Sequence, residues 1–353
     1  MRSNDLSKSK AIIMIVVAVL LIGLFGLTLF LIEKHGLLDE KFGDTGDWGG
    51  EDDDIYMIMD DKEYVSHDNV DVYMLAGTDT GAENWGEAYS GDMADFITVM
   101  VADNTTKKYA FYQIDRNTMV DIMVPDETGD ITGLSFAQVC TAHWYGMNDE
   151  ERNENLVSAV AETMGELMAD HYYVLSMEDI GKINDAIGGV VVTIDEDMTD
   201  LDPAFTEGAT VKLDGKQAEA YLRARMGVGE GKNSERMERQ KQYMENAYSM
   251  LVDQFRENPE YINDLYEQLS PLLQSDGGTN LSKLTNQLVE YENKGLLSFD
   301  GKTEIGDTFD EGVDHEEFYQ DQKSVLKELR KVMNIEEDNS PDEDSEEDPE
   351  DEE

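Results

Sequence analysis

Positive charge is what this sequence has least of: 27 Lys and Arg stand against 79 Asp and Glu, giving a formal net charge of −52. A nucleic-acid-binding surface is excluded by that balance. Affinity for a polyphosphate comes from basic side chains that displace counterions, and here the net field repels. Any anionic partner must therefore be held by a concentrated local group of cations or by a metal. Cysteine is almost absent too. Cys140 is the single one, so an intramolecular disulfide is impossible and stability must come from a core, in which Cys140 reads as a small buried hydrophobe. His35, His67, His143, His171 and His315 show no ligand spacing, and zinc is not expected. A G-x-G-x-x-G fingerprint is missing after Gly188 and Gly189, which read as a turn entering the strand VVVTI. DEDMTDLD begins like a calcium loop but has Asp200 where that loop requires glycine, so it reads as surface.

What is present is distributed unevenly along the 353 residues. Residues 11–32, AIIMIVVAVLLIGLFGLTLFLI, are uncharged and mostly apolar, long enough as a helix to cross a hydrocarbon layer of about 30 Å. Arg2, Lys8 and Lys10 precede this run. The positive-inside bias then leaves residues 1–10 as a cytoplasmic tail and puts the main part of the chain outside the cell, anchored by a single pass through the lipid membrane. Residues 33–70 contain FGDTGDWGGEDDD and read as an acidic linker. Within 71–255, strand-length apolar runs (VDVYMLAG, DFITVMVAD, KYAFYQI) alternate with helical stretches (LVSAVAETMGELM, MEDIGKINDAI), which argues for an α/β domain. Residues 256–334 show apolar positions three and four apart and are expected to be a mainly helical extension. The last 18 residues hold 13 Asp or Glu, so 335–353 are expected to form a disordered acidic tail.

Arginine is scarce and clustered. Four of the nine, Arg223, Arg225, Arg236 and Arg239, fall within 17 residues, in YLRARMGVGEGKNSERMERQ. Guanidinium groups offer bidentate hydrogen bonds to phosphate oxygens and keep their charge at any working pH. On a helix Arg223 and Arg225 would diverge, so the helix that starts near Gly215 is expected to end near Tyr221. Arg236 and Gln240, four apart, share a face of the next helix, which Asn233 or Ser234 would cap. The competing reading is a solvated surface on which these arginines pair with Glu230, Glu235 and Glu238.

Several ordered segments bear on that choice. DMADFITVMVADNTTKKYAFYQIDRNTMVDI, INDAIGGVVVTID, LDGKQAEAYLRAR and SERMERQ resemble, in order and spacing, the LytR-CpsA-Psr family of cell-envelope proteins, over roughly Val72 to Phe255. The resemblance implies an α/β/α sandwich around a mixed sheet. It also implies a phosphotransferase that moves a glycopolymer from an undecaprenyl-pyrophosphate carrier to a peptidoglycan acceptor. Some members of the family are described as transcriptional attenuators. Carried over position by position, Asp95 is the implied Mg²⁺ ligand, with Asn233 at a second metal-associated position. Arg116, Arg223 and Arg225 are the implied catalytic arginines, and with Arg236 and Gln240 they would bind the pyrophosphate of the polyprenyl-linked glycopolymer.

Three positions depart from the family pattern. Met93 replaces an Arg, Asn117 an Asp, and Asn233 a metal-associated Asp. A neutral amide is a poorer Mg²⁺ ligand than a carboxylate and takes up no proton, so weakened metal binding and a vacant base follow. Glu83, Glu87, Asp92 and Asp121 are the candidates to fill the gap. Asp115 is expected to point away, because adjacent side chains on a strand face opposite sides. The alternative activity is then a catalytically impaired prenyl-(pyro)phosphate-binding module.

Overall fold

The computed structural model describes residues 54–60, 62–79, 92–126, 129–224, 228–229, 231–258, 261–277, 281–306 and 315–338. The apolar run 11–32 lies outside them. Among the described residues no helix is long and apolar enough to cross a membrane.

Two short strands come first, β1 (Ile55–Met59) and β2 (Lys62–Ser66), followed by three longer ones, β3 (Val70–Thr78), β4 (Ala94–Asp103) and β5 (Lys108–Gln113). The pair β6 (Met119–Pro125) and β7 (Ile131–Gln138) leads to helix α1 (Asp149–Thr163), strand β8 (His171–Ser176) and helix α2 (Ile180–Ala186). After β9 (Val191–Thr193) and β10 (Thr210–Lys212) come α3 (Gly215–Arg223), α4 (Asn233–Glu257) and α5 (Tyr261–Leu269). The rest alternates: β11 (Leu273–Ser275), α6 (Leu281–Glu290), β12 (Glu292–Ser298), β13 (Gly301–Gly306), β14 (His315–Gln320), α7 (Gln322–Leu329) and β15 (Glu336–Glu337).

The core is a six-stranded mixed sheet in the order β11-β8-β3-β4-β5-β12. β3, β4 and β5 pair antiparallel, whereas β8 runs parallel to β3 and β12 parallel to β5. β3 and β4 read as almost unbroken apolar runs because both faces of the sheet are covered. Tyr73, Leu75 and Met100 enter one core, together with Tyr221, Tyr243, Leu265 and Leu284 from the helices α3 to α6. Met74, Val99 and Val101 enter the other, with Leu156 and Val160 of α1 and Val325 and Leu329 of α7. Alternation along each strand sorts the side chains between the two layers.

Three boundaries differ from the sequence reading. The region 256–334 is no separate helical extension: β11 and β12 form the two edges of the central sheet, and Val325, Leu329, Val332 and Met333 are buried in the second core. β11 has only three residues, and β12, with the sequence ENKGLLS, has a polar first half and no apolar alternation, which is why the periodicity concealed them. Within 33–70, β1 and β2 pair from Ile55↔Ser66 to Met59↔Lys62. Their signal was masked because Tyr56 and Ile58, on the outer face, are apolar as well. At the start of 335–353, Glu336 and Glu337 add a third strand to this sheet, opposite Val65 and Tyr64; residues from 339 onward lie outside the described ones.

Candidate active site

The site forms where one end of the central sheet meets α3 and α4. Register sets its geometry: Thr78 at the end of β3 lies opposite Ala94 at the start of β4, and Gln113 at the end of β5 lies opposite Thr98. The chain entering β4 and the chain leaving β5 therefore approach each other. Asp95 comes from the first, and Arg116 from the turn after the second.

Arg116 Nη1 donates a short hydrogen bond to Asp95 Oδ1, and its Nη2 lies 2.7 Å from Met93 Sδ. Arg236, in the first turns of α4, reaches the other oxygen of the same carboxylate, with Nη1 3.4 Å from Asp95 Oδ2. Its side chain is 3% exposed, and those of Arg116 and Asp95 are 11% and 12% exposed. Two buried guanidinium groups thus converge on a single carboxylate. The arrangement is held from behind by Asn233, whose Oδ1 accepts from Arg236 Nη2 at 2.5 Å. Asn233 does not cap α4. Lys232 occupies the cap position, without a side-chain cap bond, because the Asn233 amide is committed to Arg236 and to Asp115, 2.6 Å away.

Asp115 corrects a second expectation. β5 ends at Gln113, so Asp115 lies in a turn where strand alternation no longer applies, and its Oδ1 also accepts from Asn117 N–H at 2.9 Å. Burial pushes the Asp115 carboxyl above its ordinary value; the bonds from Asn117 and Asn233 oppose that shift, and nearby Glu316 adds to it.

Arg223 is the last residue of α3, two residues beyond the expected end near Tyr221. A capping box between Asp214 and Gln217 starts this helix, and Arg223 Nη1 bonds Glu219 Oε1, one turn earlier, at 2.9 Å. Its Nη2 makes a two-pronged contact with Asp79, at 2.7 and 2.8 Å. Asp79 N–H in turn donates to Met93 O at 2.9 Å, so the Arg223 clamp borders the Asp95 cluster. α3 is set in place by a close approach to α2: a Cβ on Gly181 would lie 2.9 Å from Gly215 O. Gln240 is buried one turn below Arg236, accepting from Gln113 Nε2 and donating to Leu222 O, each at 3.4 Å. Arg225, Glu83 and Glu87 lie outside the described residues. Asp121 is exposed on β6, where its N–H donates to Glu162, and it joins none of these contacts.

Of four participants, sequence reasoning missed Glu316 and Gln138 and misplaced Asp115 and Arg239. Glu316 of β14 accepts from Asn233 N–H at 3.2 Å and from Asn117 Nδ2 at 3.3 Å. Gln138 Nε2 donates to Asn117 Oδ1 at 3.1 Å and to Glu316 O at 2.5 Å. Asp115 is the third. Arg239, the fourth, points away from the cluster and binds Tyr221 O, Ala224 O and Glu196. A signal existed for Arg239 in the arginine cluster itself, but none for Glu316, which lies 199 residues from Asn117.

The arrangement does not fit Mg²⁺ as it stands. Both oxygens of Asp95 face guanidinium groups, and the Asn233 carbonyl is neutral and taken by Arg236. Among the described residues no three His, Cys, Asp or Glu are grouped to hold a metal. What the geometry offers is a buried, paired cationic site, suited to a compact anion with more charge than one carboxylate.

Comparison with known proteins bears on the fold and the family. The curated Biofilm regulatory protein A of Streptococcus mutans serotype c (strain ATCC 700610 / UA159) is 26% identical over 233 residues, covering 63% of this chain and 52% of that protein. The chain thus matches about half the length of that relative. Among solved structures, B. subtilis TagV is similar at a TM-score of 0.53, with 19% identity over 75% of this chain and 96% of that one. Protein gbs0355 of Streptococcus agalactiae gives 0.55, with 19% identity over 75% and 90%. TagT bound to LIIa-WTA gives 0.51, with 16% identity over 75% and 89%. These likenesses establish a shared fold. The sequence profile of the LytR_cpsA_psr family matches residues 54–333, well over half of the chain, and the protein belongs to that family.

Proposed function

We propose that this protein is a membrane-anchored extracellular phosphotransferase that moves a glycopolymer from a polyprenyl-pyrophosphate carrier to peptidoglycan in cell wall assembly. The convergence of Arg116 and Arg236 on Asp95 carries the reading. In a chain of net charge −52, two buried guanidinium groups beside a third, Arg223, have a purpose if a phosphorylated ligand displaces Asp95 or bridges to it. Their preorganised donors would stabilise the charge that grows on the departing prenyl phosphate as a sugar hydroxyl attacks. The ligand in the TagT structure, LIIa-WTA, is in keeping with this substrate class. The apolar run 11–32 is the anchor in this reading, with the N-terminus in the cytoplasm.

A second reading, a binding module that has lost transfer, is favoured by one observation: amides at Asn117 and Asn233 where the family has carboxylates. The two readings share the anion site and part at turnover. Changing both Arg223 and Arg225 to Ala should weaken binding of a prenyl pyrophosphate at least about tenfold, since each charge-assisted contact contributes roughly 1.5–3 kcal/mol. The fold survives this change, because the Arg223 side chain is 28% exposed and its pairs with Asp79 and Glu219 lie near the surface. Unchanged affinity with an intact circular dichroism spectrum would refute the site. Transfer of a pyrophosphate-linked glycopolymer to peptidoglycan by the purified protein separates the enzyme from the module.

A further inference from the structure

Asn117 and Asn233 are 1% and 2% exposed, and a buried amide is costly unless its donors and acceptors are used. Both are used, and on the same kind of partner. Asn117 donates from Nδ2 to Glu316 Oε2 at 3.3 Å. Asn233 donates from Nδ2 to Asp115 Oδ1 at 2.6 Å and from its backbone N–H to Glu316 Oε2 at 3.2 Å. Each amide that stands in place of a family carboxylate thus faces a carboxylate supplied from elsewhere. Glu316 is fixed there by the backbone: Phe318 N–H donates to Asn117 O at 2.8 Å, and Thr118 and Phe318 form a parallel bridge. Gln138, bonded to both Asn117 Oδ1 and Glu316 O, closes the ring.

We propose that Glu316 is a positioning residue of the anion site: with Asp115 it supplies the carboxylates absent at 117 and 233, and through Asn233 it aims Arg236 at Asp95. Acid and amide have exchanged places across two contacts. The inference rests on the anion-binding part of the proposed function. It goes further in assigning a role to a residue of β14 and in making the departures at 117 and 233 compensated. An Asp at 117 would put two carboxylates about as close as the present 3.3 Å contact; where both are ionised they repel and the contact is lost, and it is remade only at acid pH, with one proton shared between them. Restoring the family residue alone therefore disrupts the site. Among the contacts of the described residues, the charged groups beside this one include Asp115 from the β5 turn, on which both Glu316 and Arg236 of α4 act. His315 and Glu317, with Nε2 3.4 Å from Oε1, lie on the opposite face of β14.

The test is a charge swap in the full-length protein, with farnesyl pyrophosphate as the probe and each variant compared with the wild type at the same pH. Asn117→Asp should lose at least about tenfold in affinity at about pH 8. It should recover at about pH 5, because a shared proton lets one acid donate to the other as the amide did. Adding Glu316→Gln to Asn117→Asp should recover at least about threefold of the lost affinity at about pH 8 and remove the pH dependence, because the introduced amide donates to the introduced carboxyl at either pH; recovery stays short of wild type because Asn233 N–H shares Glu316 Oε2 with Asn117 and loses that acceptor. Wild-type affinity in Asn117→Asp at both pH values overturns the proposal, as does failure of Glu316→Gln to rescue a folded Asn117→Asp variant. A wild type that does not bind farnesyl pyrophosphate sinks the functional reading instead. In that event the acid–amide exchange is read from the melting temperature, which Asn117→Asp should lower at about pH 8 and Glu316→Gln should partly restore; absence of that pattern overturns it.

Discussion

Arg239 offers the most direct test of how the arginine segment is held. Its side chain is 7% exposed, and each of its three nitrogens donates one bond, to Tyr221 O at 3.1 Å, Glu196 Oε1 at 3.1 Å and Ala224 O. Tyr221 lies in the last turn of α3 and Ala224 follows it, where carbonyls lack helical partners. Burial lowers the proton affinity of this guanidinium and Glu196 opposes the shift, so it remains a cation. Replacing Arg239 with Ala removes two charge-assisted bonds to backbone carbonyls, each contributing roughly 1.5–3 kcal/mol. The carboxylate of Glu196 is 32% exposed, so its loss adds only about 0–1 kcal/mol after solvent screening.

The sum, about 3–7 kcal/mol, is a large share of the roughly 5–15 kcal/mol that stabilises a typical domain. Urea unfolding followed by far-ultraviolet circular dichroism should show the midpoint falling by about 1–3.5 M, taking a slope of roughly 2–3 kcal/mol/M. Arg239→Lys keeps the charge but lacks the planar fork, and should recover less than half of the loss. Prenyl pyrophosphate binding should weaken as well, because Arg223 and Arg225 flank Ala224. A midpoint shift below about 0.3 M for Arg239→Ala would refute the structural role given to this residue.

Two other outcomes follow from the packing and the electrostatics. A chain ended after residue 255 should fail to fold, because it lacks β11 and β12 at the sheet edges and Val325, Leu329, Val332 and Met333 of the second core; a cooperative melt of that fragment would show the fold to be complete without them. For Asp115, whose carboxyl is raised by burial, the native state holds a proton more tightly than the unfolded chain. Its contribution to stability therefore falls as pH rises from about 3.9 through the raised native value, and stays at its lowest above that. Asp115→Asn should then melt higher than wild type near about pH 7, with the gap closing towards about pH 3.5. An Asp115→Asn gap that is independent of pH, or of opposite sign, would contradict the burial of this carboxylate.

The strands and helices that carry the site were legible from the chain alone. β3, β4 and β5 appear as VDVYMLAG, DFITVMVAD and KYAFYQI, and Arg116, Arg236 and Asp95 were singled out and do meet. What remained hidden is of two kinds. Short edge elements such as β11, with three residues, carry almost no periodic signal; they exist because α5 and α6 place them beside β8. Polar partners hidden by distance form the second kind. Arg223 was read as leaving the helix, but the Glu219–Arg223 contact at 2.9 Å keeps it inside the last turn, and a local salt bridge of this sort is a weak term that a motif does not reveal.

The contacts made by Asn117 and Asn233 show why motif reading stops short at a site like this one. A motif compares residues at matched positions, whereas the free energy of a buried polar cluster depends on the sum of charges and donors, whichever strand supplies them. Asn117 meets Glu316 across 199 residues, and Asn233 meets Asp115 across 118. Closing loops of that length costs entropy that only the surrounding packing offsets. The cluster therefore depends on β14 being docked, and β14 is docked by backbone contacts from Phe318 to Asn117 and Thr118 and by the burial of Glu317 and of α7 behind it. Substitutions in the C-terminal part of the chain, far in sequence from Arg116, Arg223 and Arg236, should thus reach the anion site through Glu316, whereas one at the exposed β7 residue Leu134 should not.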